Sequence, residues 1–130
     1  MDCRVYRRGE RYEGAQGMSY FEGLSGTGIC MVELELPPGG RSRAHLHRRI
    51  ESAGYVIEGE LEMRWGDALE HVARVRRGEL AYIPPDTPHL VLNPTDETCR
   101  ALVAHTAASD QEGIELLPEL DSALGVQPTM

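Results

Sequence analysis

From Ile29 to Leu36 the chain alternates: Cys30, Val32, Leu34 and Leu36 share one parity, and Glu33 and Glu35 fall on the other. Side chains two apart in an extended strand point to the same side, so this period predicts a strand with one buried face. Pro37-Pro38-Gly39-Gly40 ends it, because proline cannot donate to a ladder and glycine permits a tight bend. Ala44 to Ile50 and Ser52 to Glu58 read as further strands. The second closes at Gly59 in a hairpin, whose return sets Leu61, Met63 and Trp65 against Glu62 and Arg64. Turn signals at Gly66-Asp67 and Arg76-Arg77-Gly78-Glu79 bracket another alternating run from Leu69 to Val75. Leu80 to Ile83, Leu90 to Leu92 and Ala101 to Thr106 complete the series, the first two stopped by Pro84-Pro85 and Asn93-Pro94.

Seven or eight short strands punctuated by Gly and Pro predict an all-β domain, a sandwich or a barrel. The ends are less regular. Cys3 to Gly28 is polar and glycine-rich and reads as loops with one edge strand near Tyr20-Phe21. The tail from Asp110 to Leu124 has only a weak helical period, interrupted by Pro118. The expected organisation is an N-terminal extension over 1–28, a barrel over 29–106 and a C-terminal tail over 107–130.

Composition narrows the function classes. The 130 residues suffice for one domain and one core. No apolar run approaches the length of a membrane span, so a soluble protein without membrane contact is expected. Met1-Asp2-Cys3-Arg4 opens on charge rather than an apolar signal core, and the three cysteines are an odd count without close pairing. Both features suit a cytoplasmic location. A net charge of −8, with no basic cluster free of acids, argues against nucleic acid and leaves small molecules as the partner class.

The chemistry is concentrated in two clusters. In a strand, His45 and His47 project from one face with Leu46 on the other, and two imidazoles so placed can grip one ion. Glu51, four residues on, has the same parity. His89 lies in the second cluster, Pro84-Pro85-Asp86-Thr87-Pro88-His89, and must be brought in by the fold.

These residues resemble the paired signatures of the cupin family. Its first motif runs Gly, five residues, His-x-His, three or four residues, Glu, then about six residues to Gly. The chain has Gly39, His45-Leu46-His47, Glu51 and Gly59, with seven residues in the last gap. The second motif runs Gly, five residues, Pro-x-Gly, two residues, His, three residues, Asn, and is matched by Gly78, Pro84-Pro85-Asp86, His89 and Asn93. There are two departures. One inserted residue flips a strand's facing unless a bulge absorbs it, and Asp86 replaces a turn glycine, a place that Asp tolerates. The strings Ser52-Ala53-Gly54-Tyr55-Val56-Ile57-Glu58-Gly59 and Arg64-Trp65-Gly66-Asp67 look like those of small single-domain bacterial cupins.

The resemblance implies a cupin-type jelly-roll β-barrel, or double-stranded β-helix, with one metal at its mouth. The implied ligands are His45, His47, Glu51 and His89. The implied cofactor is a divalent transition metal ion, with Fe2+ or Mn2+ favoured and Zn2+, Ni2+ and Cu2+ open. The implied activity is that of a metal-dependent, dioxygenase-like enzyme acting on a small organic substrate. A zinc-type isomerase, cyclase or hydrolase and a non-catalytic binding or sensing barrel are the alternatives, so whether it is an enzyme stays open. Tyr82, Tyr55 and His105 are candidates for moving protons in the pocket, each with a plainer reading as strand packing. Asn93 reads as a pocket or a turn residue. A homodimer is also implied, with Met18 to Gly28 as an exchanged strand.

Overall fold

The computed structural model describes residues 2–123, and among them it holds eleven strands and one short helix. They form two sheets. The first has the order β1 (Arg11–Glu13), β2 (Ser19–Ser25), β3 (Cys30–Leu36), β10 (Cys99–His105), β5 (Ser52–Glu58), β8 (Leu80–Ile83). The second runs β11 (Ile114–Leu116), β4 (His45–His47), β9 (His89–Leu92), β6 (Glu60–Trp65), β7 (His71–Arg76). All named strand pairs are antiparallel, and from β3 to β11 the chain passes back and forth between the two sheets except at the β6–β7 hairpin, which stays in the second. The expected all-β cupin architecture is therefore present.

The alternation read from the sequence decides what fills the barrel. In β3, Cys30, Val32, Leu34 and Leu36 are buried, while Glu33 and Glu35 face outward and bind Arg8, Arg11 and Arg100. Leu34, Leu36, Val56 and Ala101 of the first sheet pack with Leu61, Val75 and Val91 of the second. A second apolar cluster, Ala44, Leu69 and Leu90, lies under Leu117 and Leu120.

Two expectations about the ends are corrected. Residues 1–28 contribute two strands, not one, with β1 pairing on β2 and β2 on β3. The signal was weak because a register shift between Phe21 and Leu24 interrupts the alternation. The shift falls at Gly23, where a Cβ would run into the Met31 carbonyl oxygen. The tail also departs from a helix over Asp110–Leu124. Ile114–Leu116 pairs with His45–His47, and the helix α1 starts at Pro118 and runs to Ala123. Proline suits the first helical position, where its missing N–H has no partner to lose. Asp121 of α1 pairs with the buried Arg41 and accepts from the Ala44 N–H (2.9 Å), which pins the tail to the barrel. Leu124 lies outside the described residues. No helix among the described residues is long and apolar enough to cross a membrane.

Candidate metal centre

His45 and His89 are cross-strand partners in the β4–β9 pair, and His47 follows two residues along on the same face. Pairing therefore does for the sequence what spacing alone could not. The three rings offer one nitrogen each, all within 4.8 Å of one another. All three side chains are buried.

Local hydrogen bonds settle which nitrogens are available. His45 Nδ1 donates to the Arg43 carbonyl (2.7 Å), and His89 Nδ1 donates to the Thr87 carbonyl (2.9 Å). A carbonyl can only accept, so in each neutral ring the proton sits on Nδ1 and Nε2 keeps its lone pair. Each orienting carbonyl belongs to the residue two before its histidine. These are the outer partners that fix ligand tautomers in metal sites. His47 Nδ1 is buried without a hydrogen-bond partner. Such an orphan is costly in a folded protein unless something else takes its lone pair or proton. Three converging imidazoles, two held in the metal-binding tautomer and one with a buried unsatisfied nitrogen, fit a divalent transition ion.

Burial makes the rings neutral. It lowers the pKa of His45 well below the ordinary imidazole range, aided by the neighbouring His89 ring. It takes His89 down to about 4, and it lowers His47, where the nearby Glu112 backbone carbonyl acts in the opposite sense. Neutral rings at pH 7 are ready ligands.

The two sequence motifs are stitched together at this point. The Asp86 N–H donates to the His47 carbonyl (3.1 Å), and Asp86 Oδ1 accepts from the Arg49 N–H (3.0 Å). Asp86 has φ 61°, so the residue found where the family has glycine adopts a glycine-like backbone. Asn93 is fully buried, donates to the Leu36 and Glu97 carbonyls and accepts from Thr95, which makes it a turn residue.

Glu51 is not brought into the cluster. The strand carrying His45 and His47 ends at His47, and Arg49 takes φ 60°, so parity cannot be counted across the break. The chain resumes as β5 with Ser52 inward and Glu51 outward, where the exposed carboxylate accepts from the Tyr82 hydroxyl (2.7 Å). The motif's other permitted spacing, with four residues between it and His47 and six between it and Gly59, falls on Ser52. The extra residue noted in the sequence was the signal. Replacing Glu51 with Gln is expected to change divalent-metal affinity less than about twofold by titration calorimetry, whereas losing even an outer partner of a ligand costs about 10–100-fold.

Tyr82 and Tyr55 also point away. Tyr82 is 56% exposed and Tyr55 is 42% exposed, both on the outer face of the first sheet. His105 moves the other way. It is buried, its ring stacks on that of His47 at 4.7 Å between centroids, and its Nδ1 shares a 2.7 Å hydrogen bond with Ser52 Oγ. It lies directly across from Ser52 in the β10–β5 pair, so the second sheet supplies the three clustered histidines and the first supplies a Ser–His pair facing them. Ser52 and Gln16, a fully buried cavity residue, were missed. Burial takes the His105 pKa down to about 4, with the His47 ring adding to the effect.

These shifts carry a stability consequence. His89 and His105 titrate near 4 when folded and near 6.5 when unfolded, so the unfolded chain binds more protons between those values. Stability is full above pH 6.5 and falls as the pH drops toward 4. At pH 5 each ring removes about 2 kcal/mol. The metal-free protein is expected to show a markedly lower Tm by calorimetry at pH 5 than at pH 7.5, and equal Tm values would contradict the neutral, buried rings.

The fold and the cluster define a class: a small double-stranded β-helix barrel with a histidine-rich site, able to hold a metal, at one end. The cupin domain model matches residues 32–105, and the chain belongs to the cupin family. Germin-like protein subfamily T member 3 of Arabidopsis thaliana is 30% identical over 112 residues, covering 85% of this chain and 44% of that protein. The chain spans less than half the length of the germin-like relatives it matches. A solved structure of oxalate oxidase in complex with the substrate analogue glycolate is 25% identical, with a TM-score of 0.61 over 77% of this chain and 58% of that one. The polyketide cyclase RemF of Streptomyces resistomycificus shares the fold, with a TM-score of 0.69 over 90% of this chain and 86% of that one at 24% identity.

Proposed function

We propose that this protein is a metal-dependent enzyme acting on a small organic molecule, with oxygenase-type chemistry as the leading reading. The observation that carries it is the meeting of three buried, neutral imidazoles on the wall of an apolar cavity. A divalent ion bound there supplies a Lewis acid and, where the metal is redox-active, an electron-transfer centre. His45, His47 and His89 hold that ion. Their tautomers are set in advance by Arg43 and Thr87, so little reorganisation is needed. Leu34, Leu61, Val75 and Val91 exclude water from the space beside it. His105, steadied at Nδ1 by Ser52, has its Nε2 left to exchange a hydrogen bond or a proton with a bound molecule. The likeness to oxalate oxidase supports the oxidative reading.

Oxygen uptake by Fe(II)- or Mn(II)-loaded protein over a panel of small acids and phenols tests it. Substrate-dependent uptake that His89→Gln abolishes is the expected result. A second reading, zinc-type isomerisation, cyclisation or hydrolysis, is favoured by the donor set itself, since three histidines without a carboxylate are a known catalytic zinc set. Turnover with zinc and no oxygen consumption would select it, and tight ligand binding with no turnover under any metal would select a sensing barrel.

A further inference from the structure

We propose that the cavity selects a singly charged oxygen chelator with a short hydrocarbon tail, and that Gly54 sets the permitted length of that tail. This rests on the metal-binding reading above and adds the chemical class of the ligand.

The strands carry the argument in layers. Along β10 the cavity-lining side chains run His105, Val103, Ala101, and along β9 they run His89, Val91. Along β5 the same wall reads Ser52, Gly54, Val56, with His105 opposite Ser52 and Val103 opposite Gly54. Two residues of strand advance about 7 Å. A polar ring of histidines and Ser52 therefore caps a layer of hydrocarbon one step further in.

The head group follows from charge. The converging ligands are neutral, so a divalent ion among them keeps its full charge and attracts an anionic oxygen. The tail follows from the wall. No Arg, Asp or Glu lines the cavity, and a second charge one layer down would be buried without a partner. Size follows from volume. The cavity is about 80 Å³, and a water-sized group occupies about 10–15 Å³ on the same measure, so it accepts about five to eight non-hydrogen atoms.

Gly54 is the position where the wall is missing. It sits between the inward-facing Ser52 and Val56, and a Cβ built there would meet only the Leu102 carbonyl oxygen, at 3.7 Å. Its φ is not in the left-handed region, so the backbone does not require glycine. The absent side chain leaves space beside the histidines that a ligand's tail can occupy.

The test uses the full chain loaded with one equivalent of Co(II), whose visible spectrum reports both the ion's ligands and any added chelator. α-Hydroxy monocarboxylates supply the probe series: glycolate, 2-hydroxybutyrate and 2-hydroxypentanoate, spanning about five to eight non-hydrogen atoms. Affinity is expected to rise about fourfold per methylene along it. Hydroxymalonate, which puts a second charge where 2-hydroxy-3-methylbutyrate has methyl groups, is expected to bind at least about tenfold more weakly than that isostere. In Gly54→Ala, Co(II) still binds, glycolate affinity stays within about twofold, and 2-hydroxypentanoate weakens by about tenfold. A flat series, equal or tighter binding of hydroxymalonate, or a Gly54→Ala variant that affects every acid alike overturns the proposal. Failure of Co(II) to bind before any acid is added overturns the metal reading instead, and the proposal with it.

Discussion

Replacing His89 with alanine is expected to lower divalent-metal affinity by more than about 100-fold, beyond the 10–100-fold loss typical of outer partners. His89 stands across from His45 in the β4–β9 pair, and their ring centroids are 4.3 Å apart. No other described residue shares that position on β9, so nothing replaces the lost nitrogen. His89→Gln separates chemistry from packing. Its amide can still donate to the Thr87 carbonyl, so the barrel keeps its local hydrogen bond while the imidazole lone pair is gone. Calorimetric titration should show the same loss in both variants with similar circular dichroism. Retained affinity in the glutamine variant would mean that the ion, if any, sits elsewhere.

The second large effect is on stability. Gly59 closes the β5–β6 hairpin with φ 77°, and a Cβ there would lie 2.7 Å from the Thr98 carbonyl oxygen and 3.0 Å from the Cys99 Cα. Both neighbours are backbone at the start of β10 and cannot swing away. Gly59→Ala therefore combines left-handed strain with a clash, and about 3 kcal/mol or more of stability should be lost. Gly78 is the internal control. Its φ is 85° but nothing lies within 4 Å of a built Cβ, so Gly78→Ala should cost only the conformational strain, about 1 kcal/mol. Urea unfolding of the two variants would read the difference directly. Equal losses would show that the close approach to β10 is not rigid.

The contrast between these glycines marks the boundary of what the sequence discloses. Both were legible as turn residues, because Gly between alternating runs has few other uses. That one is pressed against a strand forty residues later is a fact of tertiary packing and leaves no local trace. The same boundary runs through the histidine cluster. His45, His47 and His89 were legible because the two motifs carry fixed spacings and because strand parity holds within an unbroken strand. Glu51 was misjudged because parity was carried across Arg49, whose φ of 60° ends the strand's register. The inserted residue before Gly59 announced the problem, and leaving the motif's six residues between ligand position and Gly59 reaches Ser52.

His105 and Ser52 were harder for a different reason. Each looks ordinary within its own strand, and only the β10–β5 register, which sets residues 53 apart in sequence face to face, turns them into a pair. Seven of the eight central strands were read to within two residues at each end, since Val, Leu and Ile alternate there with charge, while β4 was read on to Ile50 and ends at His47. β1, β2 and β11 were blurred. β2 contains a bulge at Gly23, and β1 and β11 are three residues each, too short for a period to register.

The central claim is that three imidazoles distant along the chain form one metal-binding point. Anomalous diffraction from a crystal grown with Co(II) tests it most directly. The account predicts one strong peak per chain, about 2.0–2.2 Å from one ring nitrogen of each of His45, His47 and His89, with the Glu51 carboxylate still hydrogen-bonded to Tyr82. A peak coordinated by Glu51 on the outer face, or no peak among the three rings, would contradict it.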